Sequence, residues 1–205
     1  MLLNNEEKEL ISLEIAELEK SSSAEIVAVI TQKSSNYKYA TLMFSIFCVF
    51  LISFILYFIK EVSTLELLQY QLLVFVGINL FLKKFNHLII GLVPKSYKHQ
   101  KASLNAKRQF NIRGLDKTKT KQAIMLFVSL DEKYVKIMTD GEISKRIPNE
   151  FWQQLIFEFT EDVKREDFVN GYIKAIKTSK AILIKHFPIQ NNDENELSNE
   201  IIELK

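Results

Sequence analysis

Three acidic residues lie where an α/β domain often carries its chemistry, at the ends of predicted strands and in the adjoining loops. Glu25 opens the first apolar run, Asp116 lies in a polar loop, and Asp140 follows the last predicted strand. Because ligands and hard cations bind at strand ends in such sheets, we interpret these carboxylates as a candidate site for Ca²⁺ or Mg²⁺. The alternative is structural: Glu25 accepts a hydrogen bond from a neighbouring helix end, and Asp140 forms a turn with Gly141.

Motifs of the common enzyme classes are absent from the sequence. The five glycines cannot build a phosphate-binding GxxxxGK[ST] loop or a dinucleotide-binding GxGxxG loop. The three histidines are widely spaced and form no HExxH motif. The single cysteine, Cys48, excludes a disulfide framework and a thiolate metal cluster. The sequence therefore favours a protein without a conventional catalytic motif.

A hydrophobic block interrupts the chain directly after the first predicted strand. Residues 40–59 contain no charged side chain, and as a helix they would span about 30 Å, the thickness of the hydrocarbon core of a bilayer. A second apolar segment covers residues 67–82. Next to the first span, it predicts a transmembrane hairpin of two helices over residues 40–94. The alternative is one span followed by an interfacial helix.

Basic residues are concentrated after the second apolar segment. From Lys83 to Lys121 there are eleven lysines and arginines but one acid, Asp116, whereas Lys60 in the connecting turn is balanced by Glu61. Because positive charge near membrane ends stays cytoplasmic, we predict a multi-pass cell-membrane protein with two spans and both termini in the cytoplasm. Contact with anionic lipid headgroups explains this basic stretch better than nucleic acid does, because stacking aromatic residues are sparse in it.

The segments around the hydrophobic block predict a single split domain. Residues 4–20 form an amphipathic helix that begins with a capping box, and residues 24–31 read as a strand covered on both faces. Residues 123–130 and 133–140 predict an antiparallel hairpin, and two amphipathic helices follow. A membrane hairpin returns the chain to the side it left, so the strand before the insertion can join the sheet formed after it.

The predicted division of the chain follows from this order of elements. Residues 1–39 and 95–187 form the split α/β domain, residues 40–94 the hairpin, and residues 188–205 a C-terminal tail. The tail sequence is compatible with a short amphipathic helix or with a segment that reaches a partner.

Three stretches of the sequence resemble the membrane-anchored bacterial branch of the TPM domain family. They are SSSAEIVAVI before the hydrophobic block, GLDKTKTKQAIMLFVSLDEKYVKIMTDGEI after it and HFPIQNNDENELSNEIIEL near the end. The similarity runs from about Asn4 to Leu204. The resemblance implies an α/β fold, a three-layer α/β/α sandwich with a small mixed sheet, which is here interrupted by the inserted transmembrane hairpin.

The same resemblance implies two functions. Some members are described as weak acid phosphatases or Ca²⁺ binders, and others as accessory factors in the maintenance of membrane complexes. Asp140 matches the acidic motif of the family best, Glu25 matches this branch, and the loop DKTKTKQA is rich in lysine and offers few ligands. We therefore expect a non-catalytic interaction or accessory module at the cytoplasmic face of a bacterial inner membrane. Its partners would be the bilayer and a membrane protein; the alternative is a weak acid phosphatase that depends on a divalent metal.

Overall fold

The structure is a computed structural model that describes residues 2–59, 63–190 and 195–204. The chain divides into two compact units. The first, here called the sheet unit, comprises Met1–Ser34 and His99–Lys205. The second, called the hairpin unit, comprises Ser35–Lys98.

A mixed sheet of four strands organises the sheet unit. The strands are β1 (Glu25–Thr31), β2 (Ala123–Ser129), β3 (Tyr134–Thr139) and β4 (Ile202–Leu204), in the spatial order β3-β2-β1-β4. β1 runs parallel to both β2 and β4, whereas β2 and β3 are antiparallel. The predicted hairpin of β2 and β3 is therefore confirmed. The pairing of β1 with β2 also confirms that the segments before and after the apolar block share one sheet.

Eight helices accompany the strands in the described residues. They are α1 (Asn5–Glu19), α2 (Lys38–Ile59), α3 (Thr64–Lys84), α4 (Asn86–Leu92), α5 (Lys95–Ile112), α6 (Gly141–Arg146), α7 (Asn149–Lys164) and α8 (Phe168–His186). α1, α7 and α8 pack on one face of the sheet, and the part of α5 that belongs to the sheet unit covers the other face. This arrangement confirms the three-layer α/β/α fold.

Both faces of β1 are covered, which explains its continuous apolar sequence. Ile26, Ala28 and Ile30 lie in the core formed with α1, α7 and α8. Val27 and Val29 lie in a second core with residues of α5. All seven residues of the strand are buried, as expected of a central strand between two helical layers.

The predicted capping box starts α1. The Asn4 Oδ1 atom accepts a hydrogen bond from the Glu7 N–H at 2.8 Å, and the Glu7 Oε2 atom accepts one from the Asn4 N–H at 2.7 Å. These bonds satisfy two backbone donors at the helix start, where no intrahelical acceptor exists. The helix then buries Ile11, Ile15 and Leu18 against the sheet.

The C-terminal segment forms the edge strand β4, in place of the short helix considered from the sequence. The Glu203 side chain of β4 binds the first residues of the chain. One carboxylate oxygen of Glu203 accepts the N–H groups of Leu2 and Leu3, each at 2.8 Å. The other oxygen lies 3.2 Å from the ammonium of Lys8. The two ends of the sequence are thereby joined at one edge of the sheet.

The hairpin unit contains the two long apolar helices. Lys38–Phe58 has a mean hydropathy of 2.4 and Thr64–Lys84 one of 1.6, and only 6% of either segment is buried. By length and composition, both helices can cross a membrane. They pack against each other, and Gln71 Nε2 of α3 donates a hydrogen bond to Ser53 Oγ of α2 at 2.9 Å. The turn residues 60–62, with the predicted charges Lys60 and Glu61, lie outside the described residues.

A small core closes the other end of this unit. It brings together α4, the end of α3 and the residue that precedes α2. The buried members are Tyr37, Leu82, Ile89, Ile90 and Val93. The second apolar segment of the sequence is therefore one long helix followed by a separate short one.

Candidate functional site

The beginnings of β1 and β2 and the end of β3 lie together at one end of the sheet. The Glu25 N–H donates to the Gln122 carbonyl at 3.1 Å, and the Asp140 N–H donates to the Ala123 carbonyl at 2.9 Å. Glu25 and Asp140 therefore flank the segment that enters β2, and Asp116 lies in the loop that leads to it. All three predicted acids therefore lie at or near this end of the sheet.

The three carboxylates do not form a metal cluster by themselves. In the residues that the structure describes, no group of three Asp, Glu, His or Cys side chains is placed to hold a metal ion. Glu25 is 6% exposed, and its Oε1 accepts the Glu196 N–H at 3.1 Å. Glu196 in turn accepts the Lys119 N–H through Oε2, also at 3.1 Å. A residue of the C-terminal segment thus connects Glu25 to the loop that contains Asp116.

Asp140 divides its two carboxylate oxygens between different environments. Its Oδ1 accepts the Gly141 N–H at 2.6 Å, so that it caps α6 where the sequence indicated a turn. Its Oδ2 is buried and has no hydrogen-bond partner among the described residues. The structural role expected of Asp140 is therefore present, while one charged oxygen remains available to a ligand.

The loop before β2 contributes three further buried oxygens. Burial alternates along it, because Asp116, Thr118 and Thr120 are covered while Lys117 and Lys119 are exposed. One side-chain oxygen of each covered residue is buried without a hydrogen-bond partner in the part of the chain that the structure describes. The loop therefore offers more donors than its lysine content suggested. The alternation of threonine with lysine in DKTKT is the sequence signal for them.

These four oxygens suit a hard cation. Each buried oxygen without a partner costs about 1–3 kcal/mol relative to a satisfied one. Carboxylate and hydroxyl oxygens are the ligand types of Ca²⁺ and Mg²⁺, whereas transition-metal sites rely on imidazole and thiolate. The donor set of Asp116, Thr118, Thr120 and Asp140 therefore fits Ca²⁺ or Mg²⁺ in chemical type.

A pocket of about 320 Å³ opens beside Glu25, between the end of α1 and the C-terminal segment. Glu19 and Asn195 line it together with Glu25, whereas Asp116 and Asp140 are not part of its lining. Its volume lies at the lower end of the range for small-molecule sites, about 300–1,000 Å³. Of the three predicted acids, only Glu25 lines this pocket.

A second buried carboxylate lies at the opposite end of the sheet. Glu132, predicted only as part of a turn, is 3% exposed. It accepts the Ser129 hydroxyl at 2.6 Å and the Ser34 N–H at 3.1 Å, and the hydroxyls of these two serines lie 2.7 Å apart. Asn105 of α5 donates to Ser34 Oγ at 3.3 Å. This network holds the last residue of the sheet unit before the apolar hairpin begins.

The fold and the site define an α/β/α sandwich domain that has several buried side-chain oxygens at one end of its sheet and an inserted apolar hairpin. Residues 82–182 match the model of the TPM domain. This segment belongs to the TPM domain family, in agreement with the resemblance of the sequence. The search of curated proteins finds no match.

The chain is also similar to the NMR structure of the BA42 protein from the psychrophilic bacterium Bizionia argentinensis. The TM-score is 0.59 and the sequence identity 18%, over 98% of this chain and 94% of that one. At this identity the likeness shows the fold alone.

Proposed function

We propose that this chain is a membrane-tethered TPM domain that acts as a non-catalytic interaction or accessory module at the cytoplasmic face of a bacterial inner membrane. The observation that carries the proposal is the apolar surface of α2 and α3. Large side chains are exposed along both helices, with Phe50 and Leu73 each 68% exposed. Soluble proteins rarely leave apolar patches of this extent in water, and lipid is the environment that suits them.

The sheet supports an even number of spans. β1 precedes the hairpin and β2 follows it, and the two strands pair along their whole length. Segments that share a sheet are expected on the same side of a bilayer, and this pairing therefore supports two spans between them in preference to one. The lysines and arginines that follow α3 favour the cytoplasmic side for both segments. A tether of this kind confines the module to the bilayer, where a membrane protein is the partner it meets.

Cysteine labelling in spheroplasts tests the topology. Cys48 is replaced by serine, and single cysteines are placed at Glu9, at Ser198 and, for the turn, at Glu61. A membrane-impermeant maleimide should label only the cysteine at position 61 in intact spheroplasts, and the other two after lysis. Labelling of position 9 or 198 from outside contradicts the proposed orientation.

The accessory role is tested by mild detergent extraction of native membranes. We expect the chain to co-isolate with a membrane complex. A solitary, monodisperse protein from those membranes counts against a role as an interaction module.

A second candidate function is a weak acid phosphatase that depends on a divalent metal. The specific observation in its favour is the set of buried oxygens without hydrogen-bond partners among the described residues, which belong to Asp116, Thr118, Thr120 and Asp140. These side chains would hold Ca²⁺ or Mg²⁺. Once bound, such an ion polarises a phosphoryl oxygen and stabilises the charge that develops on it.

Asp140→Asn separates the metal-binding role of this residue from its capping role. The amide retains an oxygen that accepts the Gly141 N–H, but the negative charge is lost. Millimolar Ca²⁺ or Mg²⁺ should raise the melting temperature of the native protein and leave that of the variant unchanged. A cation at 100 times its Kd stabilises the fold by about 2.7 kcal/mol.

Asp167→Asn is the matched control, because it makes the same charge change at the residue that precedes α8, outside the proposed metal site, and should keep the response. If neither Ca²⁺ nor Mg²⁺ changes the melting temperature of the native protein, the proposed metal site is refuted. If the protein still hydrolyses an aryl phosphate in the presence of a chelator, the activity does not depend on a metal, and this candidate function is refuted.

A further inference from the structure

The solvent face of α5 differs from that of an ordinary surface helix. Ala102, Ala106 and Phe110 are buried in the sheet unit and leave the opposite side of the helix uncovered. On that side, Leu104 is 53% exposed and Ile112 is 64% exposed. At about 100° per residue, these two side chains point to the same half of the helix.

Lys107 and Arg108 share this half of the helix with the two apolar residues, and both are exposed. None of the ion pairs between described residues involves either of them. Cations of α8 are arranged differently, since Lys177 lies 3.4 Å from a carboxylate oxygen of Glu14. Among the described residues, the positive charges of Lys107 and Arg108 are therefore not neutralised by an ion pair.

Lys136 of β3 adds a further cation next to α5. Its ammonium donates to Ser103 Oγ at 2.7 Å. Burial lowers the pKa of Lys136, and the nearby charge of Lys107 lowers it further. Like charges are thus held close together at this surface. A surface of this kind is complementary to an anionic one.

We propose that the solvent face of α5, formed by Leu104, Lys107, Arg108 and Ile112, binds the anionic phospholipid headgroups of the membrane. The cations contact phosphates while the two apolar side chains enter the boundary of the acyl region, as in interfacial amphipathic helices. This inference rests on the proposed tether, which keeps the helix close to lipid, so that weak contacts suffice.

The test uses the full chain in vesicles, with a single cysteine at position 104 (Cys48→Ser, Leu104→Cys) that carries an environment-sensitive fluorophore. We expect a blue shift in vesicles of phosphatidylcholine with phosphatidylglycerol, which is absent in phosphatidylcholine alone and reduced by high salt. Lys107→Glu with Arg108→Glu should abolish the shift.

Two matched controls accompany these variants. Lys145→Glu with Arg146→Glu makes the same charge change on α6 and should leave the shift intact. A fluorophore at Leu13, which is 59% exposed on α1 at the other face of the sheet, should not respond to the lipid.

The outcomes separate headgroup binding from the tether. If the chain is inserted but the emission of the probe at position 104 is the same in both lipids, headgroup binding is refuted while the tether stands. An equal blue shift in detergent without lipid assigns the face to a protein or a second copy, and also overturns the inference. Alkaline extraction of the same vesicles is scored in parallel, and a chain that it releases refutes the tether.

Discussion

A methyl group added at Gly171 of α8 would collide with an aromatic ring. The new Cβ would lie 2.7 Å from Phe159 Cε2, 2.8 Å from Phe159 Cδ2 and 3.3 Å from Asp162 Cβ. Ordinary contacts between carbon atoms are about 3.5–4.0 Å. Phe159 is 2% exposed and packs edge-to-face on Tyr172, with 4.9 Å between the ring centroids. The ring therefore cannot move aside without disturbing the core.

Two opposing effects set the sign of the change in stability. Alanine is favoured over glycine in a helix interior by about 1 kcal/mol. Overpacking of a well-packed core costs about 1–3 kcal/mol, and the two short contacts favour the upper end of that range. We expect Gly171→Ala to lower the free energy of unfolding by about 1–2 kcal/mol. For a domain of this size, the melting temperature should fall by about 2–8 °C.

Tryptophan fluorescence of the detergent-solubilised full chain measures this effect selectively. Trp152 is the single tryptophan of the sequence and lies in the same core, so its signal follows the sheet unit. In a Phe159→Leu background, the smaller and flexible side chain should relieve the clash and reduce the loss. A higher melting temperature of Gly171→Ala, or an equal loss in both backgrounds, would refute the steric argument.

Two further variants test the two ends of the chain with the same fluorescence assay. Asn4→Ala removes the side-chain cap of α1 and should lower the free energy of unfolding by about 1 kcal/mol; no change would mean that the cap is not formed. At Glu203 partial burial opposes ionisation, but the Leu3 N–H and Lys8 outweigh it, so that the pKa lies below its usual 4.5. A lowered pKa stabilises the fold above 4.5, and this contribution is lost as the pH falls through the folded-state pKa. Glu203→Gln should therefore be less stable than the native protein by about 1–2 kcal/mol at neutral pH, and the two melting temperatures should converge in acid; a gap that persists there contradicts the assignment.

The predictable part of the fold rested on short-range signals. The β-branched run of β1 indicated a strand covered on both faces, and the spacing of Asn4 and Glu7 indicated the start of α1. The site was predictable only in part, because Glu25, Asp116 and Asp140 could be placed at strand ends but not oriented. Thr118 and Thr120 were missed, since the path of a loop decides which of its alternate side chains are buried.

The sequence by itself determined the longer helices, three of the four strands and the position of the apolar insertion, but not the short helices α4 and α6. Periodicity, capping and hydrophobic length act between residues close in the chain. Only the tertiary structure decided that the C-terminal segment becomes a strand, that Glu196 joins Glu25 to the loop, and that Glu25 lines a pocket which Asp140 does not line. These contacts join residues up to 201 positions apart, as from Leu2 to Glu203. No local pattern encodes such a pair, since its strength depends on water being excluded by elements that meet only after folding.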